Sequence, residues 1–350
     1  MPPQSRIYYQ THEFNCFAAI NSLGFRDKEV GTDKKKKLRL VAIGDSFTYG
    51  WGVNLQDSWP KVLEKNLQDR GLSLEILNLG RPGASPVEYA EIAEIAIPLL
   101  EPDIIIVAVL QAEDLWQLKM HYLDRPWTNG FLWKYLFPNL KQLRLSRNLW
   151  KSRGKVFTAE HTREDWAKEA QDLQKKVNHQ EQARLKRLKA PLKNAFLRGE
   201  TNPYIIVHAV MNPQMYRDTF DPKSPLVQTL TGMLTHQLTR IRKLAERQQT
   251  RVIVCSVPTS VFVSPKDYLF AKGLGFLLDE QMLAEKNMDE LIKKSALKAG
   301  LPAFAEVTDS FRAKCRKESL YYLWDEHFNP AGYKFYAETL MPYMMQFLTH

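Results

Sequence analysis

One stretch constrains this chain more than any other: an apolar run that stops at a small, polar, serine-bearing turn. Leu38-Arg39-Leu40-Val41-Ala42-Ile43 ends in aliphatic residues and is followed at once by Gly44-Asp45-Ser46-Phe47-Thr48-Tyr49-Gly50. The run reads as a buried strand of a parallel sheet, whose C-terminal end is where open α/β sheets keep their chemistry. Gly44 permits a tight exit, and Ser46 then falls at or near a helix N-terminus, where free backbone N–H groups favour developing negative charge. A serine there is a candidate nucleophile, although Asp-Ser after a strand is also an ordinary helix cap.

A second stretch near the other end, Leu323-Trp324-Asp325-Glu326-His327-Phe328-Asn329-Pro330-Ala331-Gly332-Tyr333, supplies the base that such a serine needs. In the catalytic reading His327 takes the hydroxyl proton and Asp325, two residues earlier, orients the imidazole. In the structural reading the acids solvate a loop, His327 is a cap, and Asn329-Pro330 turns the chain into its last helix. Serine and base lie about 280 positions apart in a chain of 350 residues, so both ends must return to one sheet.

The early Gly-Asp-Ser and the late Asp-x-His-x-Asn-Pro-x-Gly together resemble the SGNH (GDSL) hydrolases, a superfamily of serine esterases and lipases. Asn21-Ser22-Leu23-Gly24-Phe25-Arg26-Asp27 looks like the lead-in of many bacterial members. The resemblance covers most of the chain and is specific at its ends rather than in its middle. It implies a three-layer α/β/α sandwich on a mainly parallel, flavodoxin-like sheet. Residues 1–37 then form an N-terminal arm or hairpin, and residues 38–350 a hydrolase-like unit with a largely helical, basic insertion at about 116–200.

The resemblance also implies an oxyanion site built from the N–H groups of Ser46 and Gly83, the latter in the loop Arg81-Pro82-Gly83-Ala84-Ser85. Here the sequence departs from the family. Where Gly-x-Asn-Asp is usual, it has Gln111-Ala112-Glu113-Asp114. An ionised Glu113 would repel an oxyanion that an amide would stabilise by roughly 3 kcal/mol. Three repairs are open: Gln111 donates, Glu113 is held protonated by burial, or the chemistry is weak or altered. Asp45 is expected to fix the serine turn and Asp114 to brace loops.

The function expected is ester hydrolysis through a Ser46-His327-Asp325 triad and an acyl-enzyme, with O-acetyl carbohydrate as the concrete substrate. The alternatives are a weakly active or inactive glycan-binding or assembly protein on the same fold, and an O-acyltransferase using the same residues. The mechanism calls for no metal or organic cofactor. A net charge of +10 suits an acidic glycan or other polyanion, but much of it sits in runs such as Lys34 to Lys37 and Arg184 to Lys189. No nucleic-acid signature accompanies them. Cys16, Cys255 and Cys315 are isolated, which gives no disulfide framework.

The N-terminus lacks an apolar signal core and no run reaches a membrane span, which points to a soluble, cytoplasmic chain. The bacterial relatives implied by the resemblance are often exported or membrane-tethered, and the compartment stays open, as does the oligomeric state.

Elsewhere, periodicity predicts strands at 74–80, 104–110, 204–210, 251–258 and 302–305. Helices are predicted at 59–67, 87–100, 226–247, 279–299, 307–315 and 331–347, with one or two long helices over 160–199. An aromatic cluster of Trp116, Trp127, Trp133, Tyr135, Leu136 and Phe137 belongs to a lid or to an arm for self-association. His208 reads as a core or pocket-wall residue rather than a ligand.

Overall fold

Five parallel strands form the central sheet of the computed structural model, which describes residues 1–31, 34, 37–124 and 153–349. Two earlier strands, β1 (Arg6–Gln10) and β2 (Asn15–Ala19), pair antiparallel as an N-terminal hairpin. The sheet itself begins at β3 (Leu38–Ile43) and continues with β4 (Leu74–Asn78) and β5 (Ile104–Leu110). After β6 (Val156–Phe157), outside this sheet, come β7 (Arg251–Val257) and β8 (Phe304–Ala305). The spatial order is β4-β3-β5-β7-β8. Counted within the sheet this is 2-1-3-4-5, the flavodoxin-like order, whose switch point lies between β3 and β5. Every side chain of β5 is buried, as its uninterrupted aliphatic sequence demands of a strand covered on both faces.

The crossover helices between the parallel strands pack on the two faces of the sheet. A single turn, α1 (Ser46–Tyr49), leaves β3, and α2 (Trp59–Gln68) returns the chain to β4. Next come α3 (Pro86–Leu100) and, beyond β5, α4 (Glu113–Tyr122). The insertion carries α5 (Ala159–Lys176), α6 (His179–Arg187) and α7 (Ala190–Leu197). It is followed by α8 (Tyr204–Met211), α9 (Met215–Phe220) and α10 (Pro225–Arg247). The remaining helices are α11 (Ser260–Val263), α12 (Pro265–Leu274), α13 (Asn287–Lys298), α14 (Thr308–Cys315) and α15 (Pro330–Thr349). On one face α15 packs on α2, with Tyr336 edge-on to the buried Trp59 at 5.5 Å; on the other, α10 packs between α3 and α13. None of the described helices is long and apolar enough to cross a membrane.

The hairpin has a core of its own. Ile7, Tyr9, Phe14, Cys16, Ala18 and Ile20 close on Tyr49 of the serine turn, with Trp51, Phe157 and Tyr322 against them. β6 adds to its edge by parallel pairing with β1, so a segment within the insertion and the N-terminal arm share one small sheet.

Several expectations change. Residues 204–210 form the helix α8, not a strand. A short apolar run does not declare its period, and here Pro203 and the Asn202 side chain, which accepts from the Tyr204 N–H, start a helix. His208 lies buried in it against the Tyr204 ring, and burial pushes its imidazole down to about 4. The 160–199 region is three helices rather than one or two. The predicted 279–299 helix is a 3₁₀ turn (Glu280–Leu283) followed by α13. Trp116 is core within α4. The rest of the aromatic cluster, Trp127 to Phe137, lies outside the described residues, as do Lys35 and Lys36.

Candidate active site

Ser46 opens α1 directly beyond β3, and Asp45 caps that turn by accepting from the Phe47 N–H at 2.9 Å. With one helical turn the macrodipole is small, so the site relies on individual N–H groups. Gly44 and Gly80 are required here by close approach. A Cβ on Gly44 would come within 2.1 Å of Thr48 Oγ1, and one on Gly80 within 2.1 Å of the Tyr49 nitrogen, so the strand ends fit against the serine turn only without side chains.

The loop before α15 brings His327 to this turn. His327 Nε2 lies 2.7 Å from Ser46 Oγ, and His327 Nδ1 lies 2.5 Å from Asp325 Oδ1. The second Asp325 oxygen accepts from Trp51 Nε1 at 3.1 Å. Phe47 stacks on the imidazole, and Trp51 flanks it at 5.9 Å. Asn329 accepts from the Gly332 N–H and so starts α15, as its structural reading requires.

Four further carboxyl groups surround this array. Asp45 is fully buried and raised to about 6 by loss of water, with His327 opposing. Glu113, at the start of α4, is raised to about 7, first by loss of water and then by Asp45, against His327 and a hydrogen bond from Tyr204. Asp114 accepts from the Leu110 N–H and the Tyr89 hydroxyl, which ties the end of β5 to α3; burial first, then Asp45, hold it well above the usual carboxylate range. Glu326 sits at φ 64° with Oε2 on the Tyr216 hydroxyl, while Oε1 has no partner among the described residues. Burial keeps it protonated well above its ordinary range. On His327, burial is the largest single influence and lowers the pKa; the carboxylates, led by Asp325, outweigh it and raise the imidazole above 6.5.

Gln111 is not brought to the serine. Its Nε2 lies within hydrogen-bond reach of Ser256 Oγ, Asp289 Oδ1 and Thr308 Oγ1 at 3.0, 2.9 and 2.8 Å, more acceptors than its two N–H groups can each serve alone, inside a buried polar network. The cause is local. The Glu113 N–H bonds the Gln111 carbonyl at 2.7 Å across Ala112, which takes φ 59° and ψ −53°, the rare positive γ-turn. Successive residues therefore diverge, Gln111 into the core and Glu113 toward Asp45 and His327. Gly83 lies in the turn after β4 at φ 71°, with open space where a side chain would be.

Sequence patterns did not disclose the residues that hold the site together. Arg26 is buried and donates to the carbonyls of Phe17, Tyr49, Gly50 and Val53. Asp27 accepts from the Asn78 N–H and pairs with Lys61. The one available signal was the lead-in 21–27, whose Arg26-Asp27 pair fastens the arm to the serine turn and to β4.

The strand order and the helices on both faces give an α/β/α architecture with a flavodoxin-like sheet, the Gly-Asp-Ser turn at the end of its first strand and the Asp-x-His loop before its last helix. No family model and no curated protein matches the chain. Among solved structures it is similar to a lipolytic G-D-S-L family protein from Veillonella parvula, at 10% identity over 87% of this chain and 97% of that one, TM-score 0.39. It is similar also to an acetylxylan esterase from Geobacillus stearothermophilus, at 10% identity, 88% and 94% coverage and TM-score 0.42. A third is the psychrotrophic esterase EstA from Pseudoalteromonas sp., at 7% identity, 89% and 99% coverage and TM-score 0.41.

Proposed function

We propose that this protein is a serine ester hydrolase working through an acyl-enzyme, with Ser46 as nucleophile, His327 as general base and Asp325 as its orienting partner. The observation that carries this reading is the unbroken hydrogen-bond line from Ser46 Oγ through both nitrogens of His327 to Asp325. As Ser46 Oγ attacks the ester carbonyl, its proton passes to Nε2, and the same proton then leaves with the departing alkoxide. Water repeats the sequence on the acyl-serine and restores the enzyme.

The oxyanion would be met by the Ser46 and Gly83 N–H groups together with Glu113 in its protonated form, a donor whose removal costs about 10²–10³ in rate in comparable sites. We assign the substrate as a neutral O-acyl ester on a carbohydrate, O-acetyl foremost. Trp51 beside His327 and Trp166 of α5, 6.2 Å from it, are half-buried rings that suit stacking on a sugar, and the described part of the insertion serves as a wall on that side. The carboxyls around His327 disfavour negative charge at the reacting end. Any acidic group on the glycan would therefore meet the basic surface instead.

The second reading, a glycan-binding protein with little turnover, is favoured only by Glu113, which above about pH 7 becomes an anion facing the oxyanion. Hydrolysis of 4-nitrophenyl acetate separates the two. Turnover abolished by Ser46→Ala and by His327→Ala supports the esterase, whereas equal inertness of all three proteins supports the binding protein.

A further inference from the structure

We propose that Glu13, at the tip of the N-terminal hairpin, is a positioning residue for the loop that carries Asp325 and His327, which makes the hairpin part of the catalytic apparatus. The proposal deepens the esterase reading and rests on it for its catalytic meaning. Both oxygens of Glu13 are engaged by successive backbone donors of that loop: the Leu323 N–H reaches Oε1 at 2.6 Å and the Trp324 N–H reaches Oε2 at 2.9 Å. These are the two residues directly before Asp325.

The loop closes its own base, since the Tyr322 N–H bonds the His327 carbonyl and the Glu326 N–H bonds the Tyr322 carbonyl. Its crown, where Leu323 and Trp324 point their N–H groups outward, is what Glu13 holds. Glu13 is itself fixed. Thr11 Oγ1 accepts from the N–H groups of Glu13 and Phe14, and the Thr11 N–H returns to the Phe14 carbonyl, which sets the hairpin tip. His12 extends the anchorage by pairing with Glu200 beyond α7 at 3.0 Å.

A second route from the same hairpin ends on Asp325. Tyr9 and Phe14 pack on Trp51, at 4.7 and 6.3 Å, and Trp51 Nε1 holds Asp325 Oδ2. The hairpin thus fixes the backbone directly before Asp325 from one side and one carboxylate oxygen from the other, which leaves Oδ1 aimed at His327. Loss of water raises the Glu13 carboxyl to about 7 against these two hydrogen bonds, so above that pH it is a carboxylate accepting from adjacent N–H groups, a strong and directional clamp.

Without Glu13 the crown loses both acceptors, Asp325 Oδ1 drifts from Nδ1, and His327 loses its main cationic stabiliser. His327 is faced by Asp325 on its own loop, by Asp45 at the cap of α1 and by Glu113 on α4. Loosening the first alone therefore shifts its titration in one direction, downward. A change that merely unfolded some molecules would not move that titration in the molecules that remain.

The test titrates His327 by NMR in the full chain, in Glu13→Gln and in Glu13→Ala. It adds kcat for 4-nitrophenyl acetate per serine titrated with a fluorophosphonate. We expect the His327 pKa to fall by about half a unit or more in Glu13→Ala. We expect kcat per titrated serine to fall by about tenfold or more, with KM nearly unchanged. Glu13→Gln, which keeps one acceptor oxygen, should lie between and serves alone should Glu13→Ala fail to fold. An unshifted His327 titration in the variants overturns the proposal, even where their Tm drops. Should the unsubstituted protein prove inert to ester and probe, the esterase reading fails, and the His327 titration still decides whether Glu13 holds the loop.

Discussion

Phe47 and His327 stack with ring centroids 4.7 Å apart and planes 30° from parallel. The residue after Ser46 thus supports His327 from beneath, so the serine turn and the histidine loop are packed to each other as well as hydrogen-bonded. Phe47→Leu keeps bulk but removes the flat support. Misplacing a catalytic group by a fraction of an ångström should lower kcat about tenfold. Active-site titration with steady-state kinetics measures this, and an unchanged kcat per titrated serine would show the stack to be incidental.

The raised pKa of His327 fixes the direction of the pH response. Only the neutral imidazole accepts the serine proton, so activity should climb with pH through a midpoint above 6.5. In stability the sign is opposite. The charged imidazole stabilises the fold fully below its unfolded value, and that contribution is lost as pH rises through the folded value. Asp325→Asn removes the leading raising influence, so its activity midpoint should move to lower pH while the rate falls by about 10³–10⁴. A pH–rate profile of the two proteins decides it.

Glu113 makes a separate statement about stability. Its carboxyl, ordinarily near 4.5, holds its proton to about 7 in the folded chain. Between those values the folded state binds a proton that the unfolded state has released, so stability is lost as pH rises through that window. Glu113→Gln cannot ionise and should flatten the decline between pH 5 and 8 in urea unfolding. It also keeps a donor, and should preserve turnover above pH 7. A steeper alkaline loss of activity in the variant would count against a protonated Glu113 at the oxyanion.

Gln111→Leu tests the reassignment of that amide to the core. The two N–H groups of this amide would no longer serve Ser256, Asp289 and Thr308, at a cost of about 1–3 kcal/mol for each acceptor left without a replacement. Large destabilisation in urea, with unchanged fluorophosphonate labelling per folded molecule, is expected. Labelling that collapses at full stability would return Gln111 to the oxyanion.

Gly80 and Gly83 should behave differently on gaining a methyl. At Gly80 the new carbon meets the Tyr49 nitrogen, which is backbone and cannot swing aside, so Gly80→Ala should cost about 3 kcal/mol or more and displace α1. At Gly83 the space is open and only the positive φ resists, which costs about 1–3 kcal/mol and leaves the N–H in place. Unfolding midpoints of the two variants compare them directly.

The ends of the site were legible because each is a compact local pattern. An aliphatic run cut by Gly-Asp-Ser announces a strand exit, and Asp-x-His before Asn-Pro-x-Gly announces a loop entering a helix. Tyr204 to Val210 misled because β-branched, apolar residues fill a buried helix as readily as a strand over so short a span. Gln111 misled because its direction is decided by the turn at Ala112, a backbone conformation that alanine does not advertise. Glu13 was silent for another reason. Its partners are backbone N–H groups 310 and 311 positions away, and a backbone donor leaves no mark in the sequence.

The distance in sequence between Ser46 and His327, 281 positions, also orders events in time. Synthesis runs from the N-terminus, so the hairpin, the serine turn and most of the sheet leave the ribosome before the loop that completes them. In the proposed mechanism, a nascent or prematurely ended chain that stops short of Asp325 would have the nucleophile without its base, and competence would arrive only with the loop that carries Asp325 and His327.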